Sequence, residues 1–104
     1  MQFDVYINPN KKSRDAYPYI IDIQNSLISD IITRIVIPLG KLSDFRNESM
    51  TKLTPTIEYE NDQFVLLTPQ IASIPSSLLK NPIGSVDTLR DEIIAAIDFA
   101  ITGI

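Results

Sequence analysis

The chain opens with apolar and polar residues in alternation. In QFDVYI, Phe3, Val5 and Ile7 fall on one side, and the residues between them fall on the other. A period of two residues is typical of a strand with one buried face. The pattern therefore predicts a half-buried β-strand in which Phe3, Val5 and Ile7 share the core side.

Two further strands are predicted after a turn cluster, NPNKKS. The stretch AYPYIIDIQ alternates again, with Tyr19, Ile21 and Ile23 on one side. Pro18 has no N–H to donate, so we expect it at a sheet edge or at the start of the strand. The apolar run RIVIPL predicts a buried strand that Pro38 closes.

The middle of the chain combines a predicted hairpin with a long polar connection. TIEYENDQFVLL has apolar residues before and after a turn, and Asn61-Asp62 is the predicted tight turn. The preceding stretch, GKLSDFRNESMTKLTP, is either a functional loop or a tolerated insertion that holds a turn of helix. TPQIASIPSSLLKNPIG predicts irregular structure with one short strand near residues 71–74.

The last segment carries the strongest helix signal. Asp87 is a candidate N-cap, and Asp91 and Glu92 place negative charge at the positive end of the helix dipole. A single apolar stripe follows from helical periodicity: Leu89, Ile93, Ile94, Ile97, Ala100, Ile101 and Ile104. Phe99 lies on the opposite face, so we expect it either to meet a neighbouring subunit or partner or to lie on a second part of the core.

These elements predict a mainly β fold with a C-terminal α-helix. Short strands joined by tight turns and followed by one helix are typical of an antiparallel, partly open barrel. The length of 104 residues favours one domain over residues 1–104. No apolar run reaches the roughly 20 residues that span a bilayer, and the start lacks the features of a secretory signal. We therefore expect a cytoplasmic protein with no membrane partner.

Composition restricts the available chemistry. The chain has no cysteine and no histidine, which removes thiolate metal sites and the commonest general base. The net charge is −4, and the basic cluster of Lys11, Lys12 and Arg14 is typical of a solvated loop rather than a nucleic-acid surface. Glu60 and Asp62 flank the predicted hairpin turn and would be solvated. We therefore expect a binding module with no catalytic residue, no metal and no cofactor, and no direct nucleic-acid binding on its own.

Five stretches carry a resemblance to a known family. They are spread over nearly the whole chain: MQFDVY, IDIQNSLI, TRIVIPL, TPQIASIPSSLL and RDEIIAAIDFAITGI. In this order and spacing they resemble the CcdB family, the gyrase-poisoning toxins of type II toxin–antitoxin modules, and look most like its chromosomal, Vibrio-type members. The resemblance implies an SH3-like barrel, of the kind shared with MazF, that forms a two-fold homodimer.

The resemblance also implies an activity without catalysis. Such toxins bind the A subunit of DNA gyrase, a topoisomerase II, and trap the complex in which DNA is cleaved, which blocks replication and transcription. A CcdA-type antitoxin neutralises the toxin, and the two together repress their operon. Two alternatives stay open: a ribonuclease toxin of the related MazF/Kid class, and a degenerate toxin that binds only the antitoxin.

By the same resemblance, the gyrase-binding residues fall in three places. They are Gln2, Phe3 and Tyr6 in the first strand, Leu27 and Ile28 after the second strand, and Asp98, Phe99, Thr102, Gly103 and Ile104 at the helix end. Thr102 stands where the family has a tryptophan that stacks on a gyrase arginine, and Asp98 stands where it has an asparagine. An arginine would therefore lose an aromatic platform and meet a carboxylate instead.

Structural roles for the same residues stay open. Gly103 also suits a helix C-cap, Ile104 suits the end of the core stripe, and Leu27 and Ile28 suit the filling of the barrel end. The antitoxin-binding residues are expected in the loop of residues 40–55. They are Leu42, Asp44, Phe45 and Arg46.

Overall fold

The computed structural model describes residues 1–25, 32–48 and 52–103. Within these ranges the chain forms seven β-strands and one α-helix. The strands are β1 (Asp4–Ile7), β2 (Tyr19–Asp22), β3 (Thr33–Lys41), β4 (Thr56–Tyr59), β5 (Asp62–Leu66), β6 (Ala72–Pro75) and β7 (Gly84–Ser85), and the helix is α1 (Arg90–Thr102). Leu27, Ile28 and Ile104, three of the predicted gyrase-binding residues, lie outside the described residues.

The described strands pair in antiparallel fashion and form one curled sheet. Its order is β4-β5-β3-β2-β1-β7, and β6 pairs with β3. The two ends of the sheet meet, because the Tyr59 hydroxyl of β4 lies so close to Gly84 of β7 that a Cβ atom at residue 84 would overlap it. The curled sheet and the C-terminal helix confirm the predicted mainly β fold, an SH3-like open barrel.

β3 is the longest described strand and the centre of the sheet. β2 lies along one side of it, and the other side pairs with β6 over residues 33–36 and with β5 over residues 39–41. The prediction that Pro38 closes this strand was therefore wrong. Pro38 lies between the segment of β3 that pairs with β6 and the segment that pairs with β5, so its missing N–H interrupts neither ladder. The Pro38 carbonyl accepts a hydrogen bond from the Leu67 N–H at 3.0 Å.

β4 and β5 form the predicted hairpin, but the turn lies one residue earlier than expected. Tyr59 pairs with Asp62, which leaves Glu60 and Asn61 as the two turn residues. Their φ angles are positive, 53° and 63°, as a type I′ turn requires. This register keeps Ile57 and Tyr59 of β4 on the same core face as Phe64 and Leu66 of β5.

Both faces of the sheet bury side chains. The larger core lies between one face and α1, and includes Val5, Ile21, Ile37, Leu39, Ile57, Phe64, Leu66 and Ile93. A smaller cluster of Tyr6, Ile20 and Val36 lies on the other face, since neighbouring residues of a strand point to opposite sides. The predicted side assignment was therefore wrong at Ile7, which is 51% exposed at the end of β1, whereas Tyr6 is buried.

α1 begins later and buries less than the sequence predicted. Asp87 starts a 3-10 turn, and Leu89 is the N-cap, so the predicted N-cap at Asp87 was wrong. Ile93 is fully buried, but Ile101 is 71% exposed. The predicted stripe therefore packs on the core only as far as Ile97, because the last turn of α1 extends past the core. Phe99, in that last turn, is half-buried.

The polar connection after β3 holds a short helical turn over Arg46–Glu48, a feature of one of the two alternatives that the sequence left open for this stretch. The strand expected near residues 71–74 is β6, shifted by one residue. β7 was not predicted, because two residues are too few to show a period.

Candidate partner-binding surface

The C-terminal end of α1 is exposed and capped. Gly103 has a φ of 75°, and its N–H donates to the Phe99 carbonyl at 2.9 Å, as in a left-handed C-cap. The Thr102 hydroxyl donates to the Asp98 carbonyl at 2.6 Å. A Cβ atom at residue 103 would have no neighbour within 4 Å among the described residues. The capping role of Gly103 is thus confirmed, and a partner has open access to it.

The same end of the helix is electronegative. Its last carbonyl groups carry the negative end of the helix dipole, and the last turn contains no basic residue. Asp98 is exposed, and Ile101, three residues further on and therefore beside it, exposes 71% of its surface. A carboxylate, helix carbonyls and an aliphatic side chain together suit a cation with an apolar stem, such as arginine.

The first residues form a kinked turn against β2. Phe3 has a φ of 69°, a left-handed value that is rare for a bulky side chain. Its N–H donates to the Asp22 carbonyl, and Gln2 Nε2 donates to the Ile23 carbonyl at 3.1 Å. The Phe3 ring is buried in the larger core with Ile93 of α1. Of these two predicted contact residues, Phe3 is buried and Gln2 is half-buried.

Tyr6 lies on the opposite face of the sheet from Phe3 and α1. It is buried and lines a cleft of about 200 Å³ together with Asp22 and Arg34. Burial raises the pKa of the Tyr6 phenol, Asp4 and Asp22 raise this pKa further, and Arg34 lowers it. The structure therefore does not bring Tyr6 together with the helix end within this chain.

Asp22 and Arg34 form a buried ion pair that the sequence analysis missed. Arg34 Nε and Nη2 donate to Asp22 Oδ2 at 3.1 and 2.8 Å, and Nη2 also donates to the Gln24 carbonyl at 3.2 Å. The signal was present, since each charge lies in a strand-forming apolar stretch, YIID or RIVI. Once both sheet faces are buried, such charges need a partner.

The comparison with protein-family models decides the family. The model described as CcdB protein matches residues 2–103 of the chain. The chain belongs to the CcdB family. It is a toxin of a toxin–antitoxin system, and its family is one of gyrase inhibitors that are not themselves enzymes. Family membership implies gyrase, an antitoxin and a second copy of the chain as partners in general.

In this CcdB-family toxin, the predicted antitoxin-binding residues lie in a tight turn after β3. The Phe45 N–H donates to the Lys41 carbonyl at 3.1 Å. The Phe45 ring stacks on Tyr17, with 5.3 Å between ring centroids, and covers Gly40, where a Cβ atom would overlap it. Phe45 is therefore half-buried and has a structural contact of its own, whereas Asp44 is exposed.

Two clefts of the toxin border this turn. Leu42 and Arg46 line a polar cleft of about 260 Å³ together with Asp62 of the hairpin. Tyr17 lines a larger, mainly apolar cleft of about 460 Å³, which also includes Ile20. Neither cleft could be predicted from the sequence, because each is assembled from segments that are distant along the chain.

The described part of the toxin contains no group of three or more acidic, histidine or cysteine side chains arranged to hold a metal ion. Among its described helices, none has the length and apolar character needed to cross a bilayer.

Proposed function

We propose that this toxin binds the A subunit of DNA gyrase and traps the complex in which DNA is cleaved, so that replication and transcription stop. The family match over residues 2–103 carries the proposal, and the exposed, capped end of α1 supports it. A CcdA-type antitoxin neutralises the toxin, and toxin and antitoxin together repress their operon.

The end of α1 is the proposed contact with gyrase. The Thr102 hydroxyl already donates its hydrogen to the Asp98 carbonyl, so it has none left to donate to a partner. The Asp98 carboxylate is exposed and lies beside Ile101. This carboxylate and the helix carbonyls would bind the guanidinium of a gyrase arginine, and Ile101 would pack against its aliphatic part. These contacts would replace the stacking of the arginine on the tryptophan that the family has at the position of Thr102.

A two-fold homodimer is part of the proposal. A two-fold dimer would present two copies of the helix end as one symmetric patch, which suits a symmetric target. Ile101 is largely exposed and Phe99 is half-buried in the single chain. A large apolar side chain as exposed as Ile101, at the same end of the helix as Phe99, favours a surface that meets another protein.

Gly103→Glu tests the placement of this contact. The left-handed φ makes any side chain at residue 103 unfavourable by about 1 kcal/mol, but open space surrounds it, so we expect the fold to survive. A bulky anion at an electronegative contact should abolish binding to a gyrase A dimerisation fragment and abolish growth arrest. Binding is measured by calorimetry, and folding by thermal unfolding.

Thr88→Glu is the matched control, because Thr88 is exposed and lies before the start of α1, at the other end of the helix. It should leave binding unchanged. A toxic Gly103→Glu variant would refute the placement at the helix end. Failure of the unmodified toxin to bind gyrase at micromolar concentration would overturn the proposed function. Cleavage of RNA by the purified toxin would then favour the alternative of a ribonuclease toxin. Binding to the antitoxin alone would favour the alternative of a degenerate toxin.

A further inference from the structure

The kinked turn at the start of the chain is strained. A left-handed φ is unfavourable by about 1–2 kcal/mol for a residue with a Cβ atom, and the φ of Phe3 is 69°. Such strain persists only where surrounding contacts hold it, and it is often found at functional sites. The contacts that hold Phe3 therefore show which residues control the position of its neighbour, Gln2.

We propose that Arg34 is a positioning residue that holds this kinked turn through Asp22, and thereby sets the positions of Gln2 and Tyr6 for partner binding. The binding half of this inference rests on the proposed gyrase function. The structural half, that Arg34 holds the turn, stands on the contacts alone.

The hydrogen bonds of the turn converge on the end of β2. The Phe3 N–H donates to the Asp22 carbonyl, and the Gln2 side chain donates to the Ile23 carbonyl at 3.1 Å. On its other side, the Phe3 carbonyl accepts a hydrogen bond from the Val86 N–H at 2.9 Å. Two of these three bonds end on residues 22 and 23, so the turn follows any movement of the backbone there.

Arg34 holds that backbone from the neighbouring strand. Its guanidinium donates twice to the Asp22 carboxylate and once to the Gln24 carbonyl. The other carboxylate oxygen of Asp22 accepts a hydrogen bond from the Gln24 N–H at 3.0 Å. One arginine therefore fixes both a side chain and a carbonyl on the two sides of Ile23. Lysine cannot reproduce this arrangement, because its ammonium is a single compact group, whereas the guanidinium of arginine presents several N–H donors in one rigid plane.

Tyr6 depends on the same arginine. The Tyr6 phenol, the Asp22 carboxylate and the Arg34 guanidinium line one cleft of about 200 Å³ on the sheet face away from α1. The ion pair is buried, with Arg34 8% and Asp22 1% exposed. Loss of the fork would leave a buried carboxylate without its main partner, so Asp22 would have to move, and the wall of the cleft beside Tyr6 would move with it.

Arg34→Lys is the test, and Arg90→Lys is the matched control, since Arg90 is exposed at the start of α1. In Arg34→Lys we expect the amide hydrogens of Phe3 and Asp4 to exchange at least about tenfold faster, and gyrase A binding to weaken about tenfold, as for the loss of one charge-assisted hydrogen bond. Arg90→Lys should change neither. Exchange is followed by NMR and binding by calorimetry, on the full chain.

Two further variants separate positioning from general stability. Ile57→Val removes one buried methyl group in β4 and lowers overall stability by about 1 kcal/mol without removing a hydrogen bond of the turn. Gln2→Ala should weaken gyrase binding in the native background but have little further effect in Arg34→Lys, because Gln2 is then no longer held in place. A purely structural Arg34 would give additive effects.

Each outcome decides the inference. Unchanged exchange at Phe3 and Asp4, the same increase in Ile57→Val, or additive effects with Gln2→Ala would overturn it. If the unmodified toxin binds no gyrase, the proposed function fails, while the exchange measurement still decides whether Arg34 holds the turn. If Arg34→Lys does not fold, the double variant Asp22→Asn/Arg34→Gln takes its place, since it removes both charges and leaves neither unpaired.

Discussion

Tyr59→Phe offers a direct test of how the barrel closes. Tyr59 is 8% exposed, and its hydroxyl has no hydrogen-bond partner among the described residues. The hydroxyl lies against Gly84 of β7, at the point where the two ends of the sheet meet. Removing this one oxygen keeps the ring, which packs edge-on against Tyr19 at a centroid distance of 5.4 Å.

The size of the effect follows from that arrangement. A buried polar group without a partner is unfavourable by about 1–3 kcal/mol. Tyr59→Phe removes that penalty and no contact of the ring, so we expect the free energy of unfolding to rise by about 1 kcal/mol. For a chain of this length such a change raises the melting temperature by about 4–8 °C.

The same substitution has a pH dependence. Burial raises the pKa of the Tyr59 phenol, and Glu60 and Tyr19 raise this pKa further. As the pH rises, the unfolded chain therefore loses the tyrosine proton first, near its ordinary pKa of about 10. Stability is full below that pH and falls as the pH rises through the folded-state pKa. The phenylalanine variant lacks this loss, so its advantage should grow above about pH 10.

Urea unfolding of both proteins at neutral pH and at several alkaline pH values measures this effect. Tyr17→Phe serves as the control, because Tyr17 lies outside the larger core and stacks on Phe45. It should leave the free energy of unfolding nearly unchanged. A Tyr59→Phe variant that is less stable at neutral pH would refute the reasoning, since the hydroxyl would then be shown to stabilise the fold.

Two substitutions at glycine test the close contacts that Gly84 makes in β7 and Gly40 makes in β3. Gly84→Ala should destabilise the protein by about 1–3 kcal/mol, because the new methyl group overlaps the Tyr59 hydroxyl. Adding Tyr59→Phe should restore part of this loss. If urea unfolding shows that the effects of the two substitutions are additive, the contact is contradicted. Gly40→Ala should displace the Phe45 ring from Tyr17 and lower the free energy of unfolding by about 1–3 kcal/mol. The displacement should change the near-ultraviolet circular dichroism spectrum, and an unchanged spectrum would contradict the packing.

Local patterns predicted the elements well. The alternation in AYPYIIDIQ corresponds to β2, the polar break at ENDQ to the hairpin, and the final apolar segment to α1. These elements depend on the spacing of apolar residues over a few positions, which is visible along the chain. The match of five stretches to one family was likewise visible before the structure, and the family match over residues 2–103 confirms it.

Predictions failed where a neighbouring element decided the outcome. The hairpin turn lies at Glu60 and Asn61 because the register of β4 and β5 must keep both apolar sets on the core. Ile101 is exposed because the core ends before the helix does, which periodicity along the helix cannot show. Tyr6 is buried because a second cluster covers the outer face of β1.

By itself, the sequence determined the family, the mainly β class, the terminal helix and the glycine that caps it. Each depends on residues close together in the chain or on a pattern shared over its length. Only the tertiary structure decided that Phe3 is held in a strained turn and that Arg34 pairs with Asp22. Both depend on strands that meet from distant parts of the chain, where burial of both sheet faces forces the two charges to become partners.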